Sequence, residues 1–252
     1  MWWPFRAVRR RVLAVLGRMG PLGRALVLGE EMGFGRLLTM IELVEGTYGH
    51  SRSVRRGAPV DREGNPLPWF TYPAIEYLSQ LDLAGCAVFE YGAGLGSLFF
   101  AGRAASLTSV ESDSQWASVV RASSPPNHQL LERPEGVDYV RAIHHENRPY
   151  DVVIVDGMNR RDCAAEALKV LKEDGFLILD NSDWHPETAR MLREAGLVQV
   201  DFSGLGPGNL YTWTTSLFLR RSVRLVPREG RQPHYSLGAV RQVAETDQPL
   251  RT

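Results

Sequence analysis

Short apolar runs alternate with amphipathic stretches along residues 69–220. Each run is long enough for one strand, and its near-continuous apolar character is typical of a strand covered on both faces. Strands are predicted at 86–91, 107–111, 129–132, 151–156 and 176–180. Helices are predicted at 95–104, 114–122, 137–144, 160–172 and 186–195. Strands and helices that alternate in this order indicate a parallel, doubly wound sheet.

The last part of this region predicts a change of direction. Two further strands are predicted at 197–203 and 211–220, and the glycine-rich turn Gly204–Gly208 joins them. Such a turn favours an antiparallel hairpin. We therefore expect an α/β, Rossmann-like fold, with a mostly parallel sheet of seven strands and an antiparallel C-terminal hairpin.

The two flanks differ from this region in composition. Residues 1–50 predict helices, residues 51–68 an irregular loop, and residues 223–252 a polar, poorly ordered tail. Within the tail, Pro233-His234-Tyr235 is the part that could return to the body. The predicted divisions are an N-terminal helical, lid or oligomerisation extension at 1–68, a catalytic domain at 69–222 and a tail at 223–252.

Composition and charge limit the class of protein. The chain has 252 residues, which suits one α/β domain with a modest extension. Lys+Arg and Asp+Glu both number 29, and this balance argues against a protein that binds nucleic acid by neutralising phosphates. Two distant cysteines make no disulfide framework, so we expect a cytoplasmic protein. The apolar piece Val12–Leu16 is too short to span a membrane.

Arginines and aromatic residues are concentrated at the N-terminus. Residues 1–29 contain no acid, and their arginines are Arg6, Arg9, Arg10, Arg11, Arg18 and Arg24. Trp2, Trp3 and Phe5 lie beside them. Such a segment can lie on a membrane surface, or it can pack on its own domain or on a partner subunit. We expect packing or a lid, and a homodimer through this extension is one arrangement that would follow.

A glycine-rich turn directly follows the predicted strand at 86–91. The strand ends with Glu90 and Tyr91, and glycines follow at 92, 94 and 96. A strand, a glycine turn and a helix let the backbone approach a nucleotide-like ligand closely. The third glycine of a dinucleotide fingerprint would fall at position 97, which is Ser97. The pattern therefore argues against a pyrophosphate ligand.

The next predicted strand also ends in an acid, Glu111. Glu111 follows Glu90 by about 20 residues, the spacing at which a carboxylate accepts hydrogen bonds from ribose hydroxyls. The alternative is a surface glutamate that caps the following helix.

Four ordered segments resemble the motifs of class I S-adenosylmethionine-dependent methyltransferases. They are F-E-Y-G-A-G-L-G-S at 89–97, S-V-E-S-D at 109–113, Y-D-V-V-I-V-D-G at 150–157 and G-F-L-I-L-D-N-S-D-W at 175–184. The resemblance implies S-adenosylmethionine as the cofactor. It places these residues at the cofactor: Glu90, Gly92, Ala93, Gly94, Gly96, Glu111, Ser112, Glu135 and Asp156.

A narrower resemblance concerns the ends of two neighbouring strands. Metal-dependent O-methyltransferases of the catechol type carry Asp, Asp and Asn there, which matches Asp156, Asp180 and Asn181. The resemblance implies a Mg²⁺ ion that lowers the pKa of an acceptor hydroxyl. The lysine base of those enzymes is absent, because Gly157–Arg161 reads G-M-N-R-R. The alternative makes Asp156 a hydrogen-bonding residue and Asp180-Asn181 turn residues.

A route without a metal needs a side-chain base. The candidates are Asp156, His185 and Asp183, since histidine titrates near neutrality and an aspartate can orient it or act instead. His185 before Pro186 is alternatively an exposed loop residue. Acceptor binding is expected from Tyr72, Arg160 and Trp184. Arginine at a helix start opposes the helix dipole, which indicates a functional reason for Arg160.

These features predict a methyltransferase that acts on a hydroxyl of a small molecule, such as a sugar or a secondary metabolite. An N-methyltransferase is the nearest alternative, although the segment V-D-G-M-N at 155–159 lacks the D-P-P-Y type of signature. Two further alternatives are a cofactor-binding scaffold without catalysis and a nicotinamide dehydrogenase. Ser97 in place of the third glycine argues against the dehydrogenase.

Overall fold

The computed structural model describes residues 12–18, 20–31 and 33–239. Packing divides the chain into two compact units, Met1–Gly49 and His50–Thr252. The N-terminal segment was expected to pack, to cover a site or to contact a membrane. Its aromatic residues and four of its arginines lie at 2–11, outside the described residues. The predicted boundary between the N-terminal extension and the catalytic domain, after residue 68, stays a prediction.

The described part of the first unit is helical, as its sequence predicts. Helix α1 spans Pro21–Glu31 and helix α2 spans Phe34–Glu42. Gly33 separates them with a φ of 91°, a backbone conformation that glycine adopts without strain. A π-helical turn, Leu43–Tyr48, continues α2. Within the described residues, no helix has the length and apolar character that crossing a membrane would require.

Within the described residues, the second unit contains seven strands and seven α-helices. The strands are β1 Ala87–Tyr91, β2 Ser106–Glu111, β3 His128–Glu132, β4 Tyr150–Val155, β5 Leu171–Leu179, β6 Val198–Gly204 and β7 Trp213–Leu219. The helices are α3 His50–Arg56, α4 Tyr72–Ser79, α5 Leu95–Ala101, α6 Ser114–Arg121, α7 Val137–Arg141, α8 Arg160–Val170 and α9 Pro186–Glu194, and a 3₁₀ turn, Ala142–His144, follows α7.

The strands form one sheet in the order β3-β2-β1-β4-β5-β7-β6. Strands β1 to β5 are parallel to one another, and β7 is antiparallel to both β5 and β6. The predicted fold class is confirmed. The chain changes its direction of travel across the sheet between β1 and β4, and open sheets of this kind bind ligands at the carboxyl ends of the strands at such a point.

The core explains why the strands have near-continuous apolar sequences. Both faces of the parallel strands are covered, so Val153, Ile154 and Val155 are successive and all fully buried. Helix α8 covers the sheet with small side chains, because Cys163, Ala164 and Ala167 are buried there. Cys163 carries a free thiol, as does Cys86.

One expectation for the flanks needs correction. Residues 51–68 are not irregular throughout, because α3 occupies the first part. The buried residues of α3 are His50 and Ser53, and the Ser53 hydroxyl donates to Val60 O at 2.7 Å. A helix that buries polar side chains has no apolar periodicity, which is why the sequence pattern missed it.

The described part of the tail is attached to the body of the second unit. The amide of Asp82 donates to Val226 O at 2.8 Å, and the amide of His234 donates to Gln80 Oε1 at 2.9 Å. The return predicted for Pro233-His234-Tyr235 therefore occurs. Hydrogen bonds therefore hold part of residues 223–239, and the poorly ordered tail expected for residues 223–252 stays a prediction.

Candidate functional site

A pocket of about 540 Å³ lies at the carboxyl ends of β1, β2 and β4. We call it the larger pocket. It is lined by Gly57, Ala58, Pro59, Pro68, Trp69, Phe70, Glu90, Gly92, Ala93, Gly94, Leu95, Gly96, Glu111, Ser112, Asp113, Trp116, Tyr139, Asp156, Gly157, Met158 and Arg160. Its volume is within the range of about 300–1,000 Å³ that small-molecule and cofactor sites occupy. The residues expected at the cofactor all line it, except Glu135, which is exposed elsewhere.

Two glycines let the loops after β1 and β4 touch through their backbones. Gly92 has a φ of 89°, and a Cβ added to it would lie 2.8 Å from the Cα of Gly157. A Cβ on Gly157 would lie 1.9 Å from the hydroxyl oxygen of Tyr139. No other residue type fits at either position without movement of the loops.

The space around Gly94 is open, unlike that around Gly92 and Gly157. A Cβ added to Gly94 would meet no atom within 4 Å, and Gly94 lines the larger pocket. The space beside this glycine is therefore open in the protein, and a side chain there would compete with a ligand for it.

Glu90 is a buried acid whose carboxylate has two hydroxyl donors. Ser97 Oγ donates to Glu90 Oε2 at 2.5 Å, and Ser109 Oγ donates to the same oxygen at 2.6 Å. Burial raises the pKa of Glu90 to about 7, and these two hydrogen bonds oppose that rise. The side chain of His128 lies 3.0 Å from Ser109 Oγ. Burial lowers the pKa of His128 to about 4, so this imidazole is neutral at pH 7.

The carboxylate of Glu111 accepts hydrogen bonds from both the turn after β2 and the glycine loop. It accepts from the amide of Ser112 at 2.7 Å and from the amide of Ala93 at 3.2 Å. The indole N–H of Trp116 donates to Ala93 O at 2.7 Å. The N-cap of α6 is Asp113, which accepts from two amides of the first turn. The alternative in which Glu111 caps the helix is therefore weakened, because Asp113 is the residue that caps it.

A second pocket of about 300 Å³ adjoins the first at the ends of β4 and β5. We call it the aromatic pocket. It is lined by Trp69, Asp156, Asp180, Asn181, Trp184, Asn209, Tyr211 and Trp213. Trp184 and Tyr211 have ring centroids 6.3 Å apart, and Tyr211 and Trp213 have centroids 5.8 Å apart. Trp69 and Asp156 line both pockets, so ligands in the two pockets would approach each other there.

The guanidinium of Arg160 lies among the oxygens that were expected to bind a metal. Its Nη2 donates to Asp156 Oδ1 at 2.9 Å, and its Nη1 donates to Asn181 Oδ1 at 2.8 Å. Three further bonds go to the carbonyl oxygens of Asp180 at 2.8 Å, Asp156 at 3.1 Å and Gly157 at 3.1 Å. A guanidinium has five N–H donors, and each has a protein acceptor here.

The expected Mg²⁺ site is therefore not supported. The structure does bring Asp156, Asp180 and Asn181 to one pocket, as the sequence predicts. However, two of these side chains and three carbonyl groups already bind a cation supplied by the chain. Across the part of the chain that the structure describes, no three His, Cys, Asp or Glu residues form a group suited to a metal.

Asp180 and Asp156 form an acidic pair in this partly apolar setting. Asp180 is 2% exposed, and its Oδ1 accepts from Thr215 Oγ1 at 2.5 Å and from the Trp213 indole at 3.1 Å. Burial raises the pKa of Asp180 to about 6, against the effect of these donors. Burial and the neighbouring Asp180 also raise the pKa of Asp156, and Arg160 opposes that rise.

Several predicted residues lie outside both pockets. Tyr72 is buried in the core, with its hydroxyl 3.3 Å from His50 Nδ1. Asp183 is exposed and accepts from the amide of Thr214 at 3.1 Å. Burial lowers the pKa of His185, and the nearby Arg160 lowers it further. Neither Asp183 nor His185 lines the two pockets, and their roles and that of Tyr72 stay predictions.

Sequence reasoning missed part of the aromatic pocket. The sequence pattern does not identify Asn209, Tyr211 and Trp213 as site residues, although Tyr211 and Trp213 lie at alternate positions where the last strand is predicted to begin. That signal becomes meaningful only when β7 is known to pair with β5, because this pairing brings the start of β7 to the carboxyl end of β5.

No protein-family model and no curated protein matches this chain. Solved structures do resemble it. One is a caffeoyl-CoA O-methyltransferase-like protein from Staphylococcus aureus, with 13% sequence identity and a TM-score of 0.51, covering 72% of this chain and 97% of its own. Another is precorrin-6y C5,15-methyltransferase from Geobacter metallireducens, with 14% identity and a TM-score of 0.50, covering 65% of this chain and 97% of its own.

The likeness extends over nearly the whole length of each of these two structures. At this level of identity it concerns the fold. The chain has the fold of the class I S-adenosylmethionine-dependent methyltransferases, as its motifs predicted.

Proposed function

We propose that this protein is an S-adenosylmethionine-dependent methyltransferase that acts on a hydroxyl group of a small molecule. The observation that carries the proposal is the pair of adjoining pockets at the carboxyl ends of the strands. The larger pocket contains the glycine loop and the strand-end acids, and the aromatic pocket meets it at Asp156 and Trp69. One pocket suits a cofactor, and the other suits an acceptor.

The residues of the larger pocket fit the proposed cofactor. The open space beside Gly94 would take the part of the ligand that passes over the glycine loop. The Glu90 carboxyl would bind the amino group of the cofactor, and Glu111 would bind its ribose hydroxyls. When bound, S-adenosylmethionine supplies a methyl group on a sulfonium sulfur and leaves as S-adenosylhomocysteine.

Asp156 is the residue that we propose as the base. It is the acid that lines both pockets, so a hydroxyl in the aromatic pocket would lose its proton to this carboxylate as methyl transfer proceeds. Arg160 fixes the position of Asp156 through one of its Nη2 bonds. Methyl transfer also requires the acceptor to be held in line, and the rings of Trp69 and Trp184 would orient it.

The lining of the aromatic pocket favours an uncharged ring-bearing acceptor, such as a sugar or a secondary metabolite. Aromatic side chains offer flat apolar faces to such a ring, and the amides of Asn181 and Asn209 can both donate and accept hydrogen bonds. A small amine is the second candidate, because aromatic rings and carboxylates together bind cations. The charge of Arg160 beside Asp156 disfavours that candidate.

Calorimetric titration with S-adenosylhomocysteine tests the cofactor. We expect binding by the wild type and loss of at least about tenfold in affinity for Gly94→Val, since the new side chain would occupy open pocket space. Gly85→Val is the matched control, because its Cβ also meets no atom within 4 Å and Gly85 lines neither pocket. Glu111→Ala should weaken binding as well.

Acceptor screening then tests the reaction. Release of S-adenosylhomocysteine should occur with hydroxylated compounds and should be weak with small amines. Wild-type protein that binds no S-adenosylhomocysteine would overturn the assignment of the cofactor. Binding without turnover of any acceptor would support the scaffold alternative, and turnover of amines alone would make the N-methyltransferase the better description.

A further inference from the structure

Arg160 provides a positive charge among the oxygens at which the sequence resemblance implied a divalent metal. We infer that this guanidinium is a built-in substitute for that metal, and that it keeps divalent cations out of the aromatic pocket. The inference does not rest on the proposed function, because it concerns which cation the oxygens of this pocket bind.

The oxygens around Arg160 are of the kinds that hard cations select. They are the Asp156 carboxylate, the Asn181 amide oxygen and three backbone carbonyl oxygens. Mg²⁺ and Ca²⁺ bind carboxylate, amide and carbonyl oxygens, and a site that gathers these groups without a cation would concentrate negative charge. In this chain the guanidinium neutralises them, since each of its five N–H groups has an acceptor.

The backbone around the arginine is built to hold this arrangement. Asn159 and Asn181 have φ angles of 51° and 52°, in the left-handed region that few residues other than glycine adopt. Asn159 precedes Arg160 at the start of α8, and Asn181 supplies one of the acceptors. A basic residue at a helix start is unfavourable for the helix dipole, so the local acceptors must offset that cost.

The location of the guanidinium leaves no separate place for a metal. The side chain of Arg160 is 13% exposed, and its ion-pair partner Asp156 is 25% exposed. A divalent cation at these oxygens would lie within a few ångströms of a fixed positive charge, and like charges at that distance repel strongly in a partly buried site. These oxygens can therefore bind the guanidinium or a metal, but not both.

Removal of the arginine tests the inference directly. Arg160→Met keeps an unbranched side chain but removes the charge and all five donors, which frees the oxygens. Mn²⁺ is the probe, because its bound and free forms are distinguished by electron paramagnetic resonance. We expect no Mn²⁺ site in the wild type and one site per chain in Arg160→Met, with at least a tenfold gain in affinity. Arg160→Lys retains a positive charge and should not bind.

Further variants locate the site and keep the test decisive. Asn181→Ala in the Arg160→Met background should lose the Mn²⁺ site, whereas Asp183→Ala in the same background should retain it. A cooperative thermal transition establishes that each variant is folded. Folded Arg160→Met that binds no Mn²⁺ overturns the inference. Mn²⁺ bound by the wild type in the aromatic pocket overturns it too, and that measurement stands even where Arg160→Met does not fold.

These outcomes are separate from those of the proposed function. Mn²⁺ binding requires neither cofactor nor acceptor, whereas the proposed function is tested by S-adenosylhomocysteine binding and turnover in the wild type. Failure of one test therefore leaves the other result unchanged.

Discussion

Glu90 is an acid placed where its charge is costly. It is 4% exposed, and burial raises its pKa from 4.5 to about 7. The native protein therefore binds a proton at this residue between pH 4.5 and pH 7, where the unfolded chain has released it. Because the native state binds more protons in this window, the free energy of unfolding falls as the pH rises through it.

Replacement of Glu90 tests this linkage. Glu90→Gln keeps a hydrogen-bond acceptor for Ser97 and Ser109 but cannot ionise. The free energy of unfolding of this variant should therefore depend less steeply on pH between 4.5 and 7 than that of the wild type. Between these two pH values, the wild type should lose about 3 kcal/mol more stability than the variant. Urea unfolding at several pH values measures it, with Glu132→Gln as the control for an exposed acid on the same sheet. A slope equal to that of the wild type would show that Glu90 ionises normally.

Trp184 is the most exposed ring of the aromatic pocket, at 56%. If it orients the acceptor, Trp184→Ala should raise the KM for an acceptor by about tenfold and leave S-adenosylhomocysteine affinity unchanged. Trp184→Tyr keeps an aromatic face and should recover most of the loss. Steady-state kinetics and calorimetry on the same variants would check this, and an equal fall in cofactor affinity would contradict a role limited to the acceptor.

At the scale of elements, the loops after β1 and β4 depend on each other through their glycines. Gly92→Ala would place a methyl group 2.8 Å from Gly157 and hold alanine at a φ of 89°. We expect a loss of roughly 1–3 kcal/mol in stability, since both the contact and the backbone angle are unfavourable. Chemical denaturation measures the loss. Gly85→Ala, with open space around it, should change stability little, and equal effects of the two would contradict the argument.

The strands were predictable because burial on both faces leaves a clear apolar signature, as in Val152–Val155. The start of α3 was not predictable, because its buried residues are His50 and Ser53. The site shows the same contrast. Glu90, Glu111 and Asp156 were predictable as site residues because each lies at the end of a predicted strand, and all three line the larger pocket. The partners of Arg160 are set by side-chain conformation and by the approach of two loops, which spacing along the chain does not encode.

At the scale of the whole molecule, both pockets belong to one unit. Every lining residue lies between Gly57 and Trp213, within the unit His50–Thr252. A chain of residues 50–252 should therefore bind S-adenosylhomocysteine with an affinity within about threefold of the full protein. Calorimetry on both chains measures this. A folded 50–252 chain without affinity would show that the first unit contributes to binding.

The backbone contact between Gly92 and Gly157 has a consequence for how such sequences diverge. Because each residue excludes a side chain on the other, neither can be replaced alone without moving a loop. Natural variation should therefore keep these two glycines together over long periods, while position 94, which faces open space, is free to change when the ligand changes. In an alignment of descendants, a joint loss of glycines 92 and 157 would mark a lineage whose loops had separated.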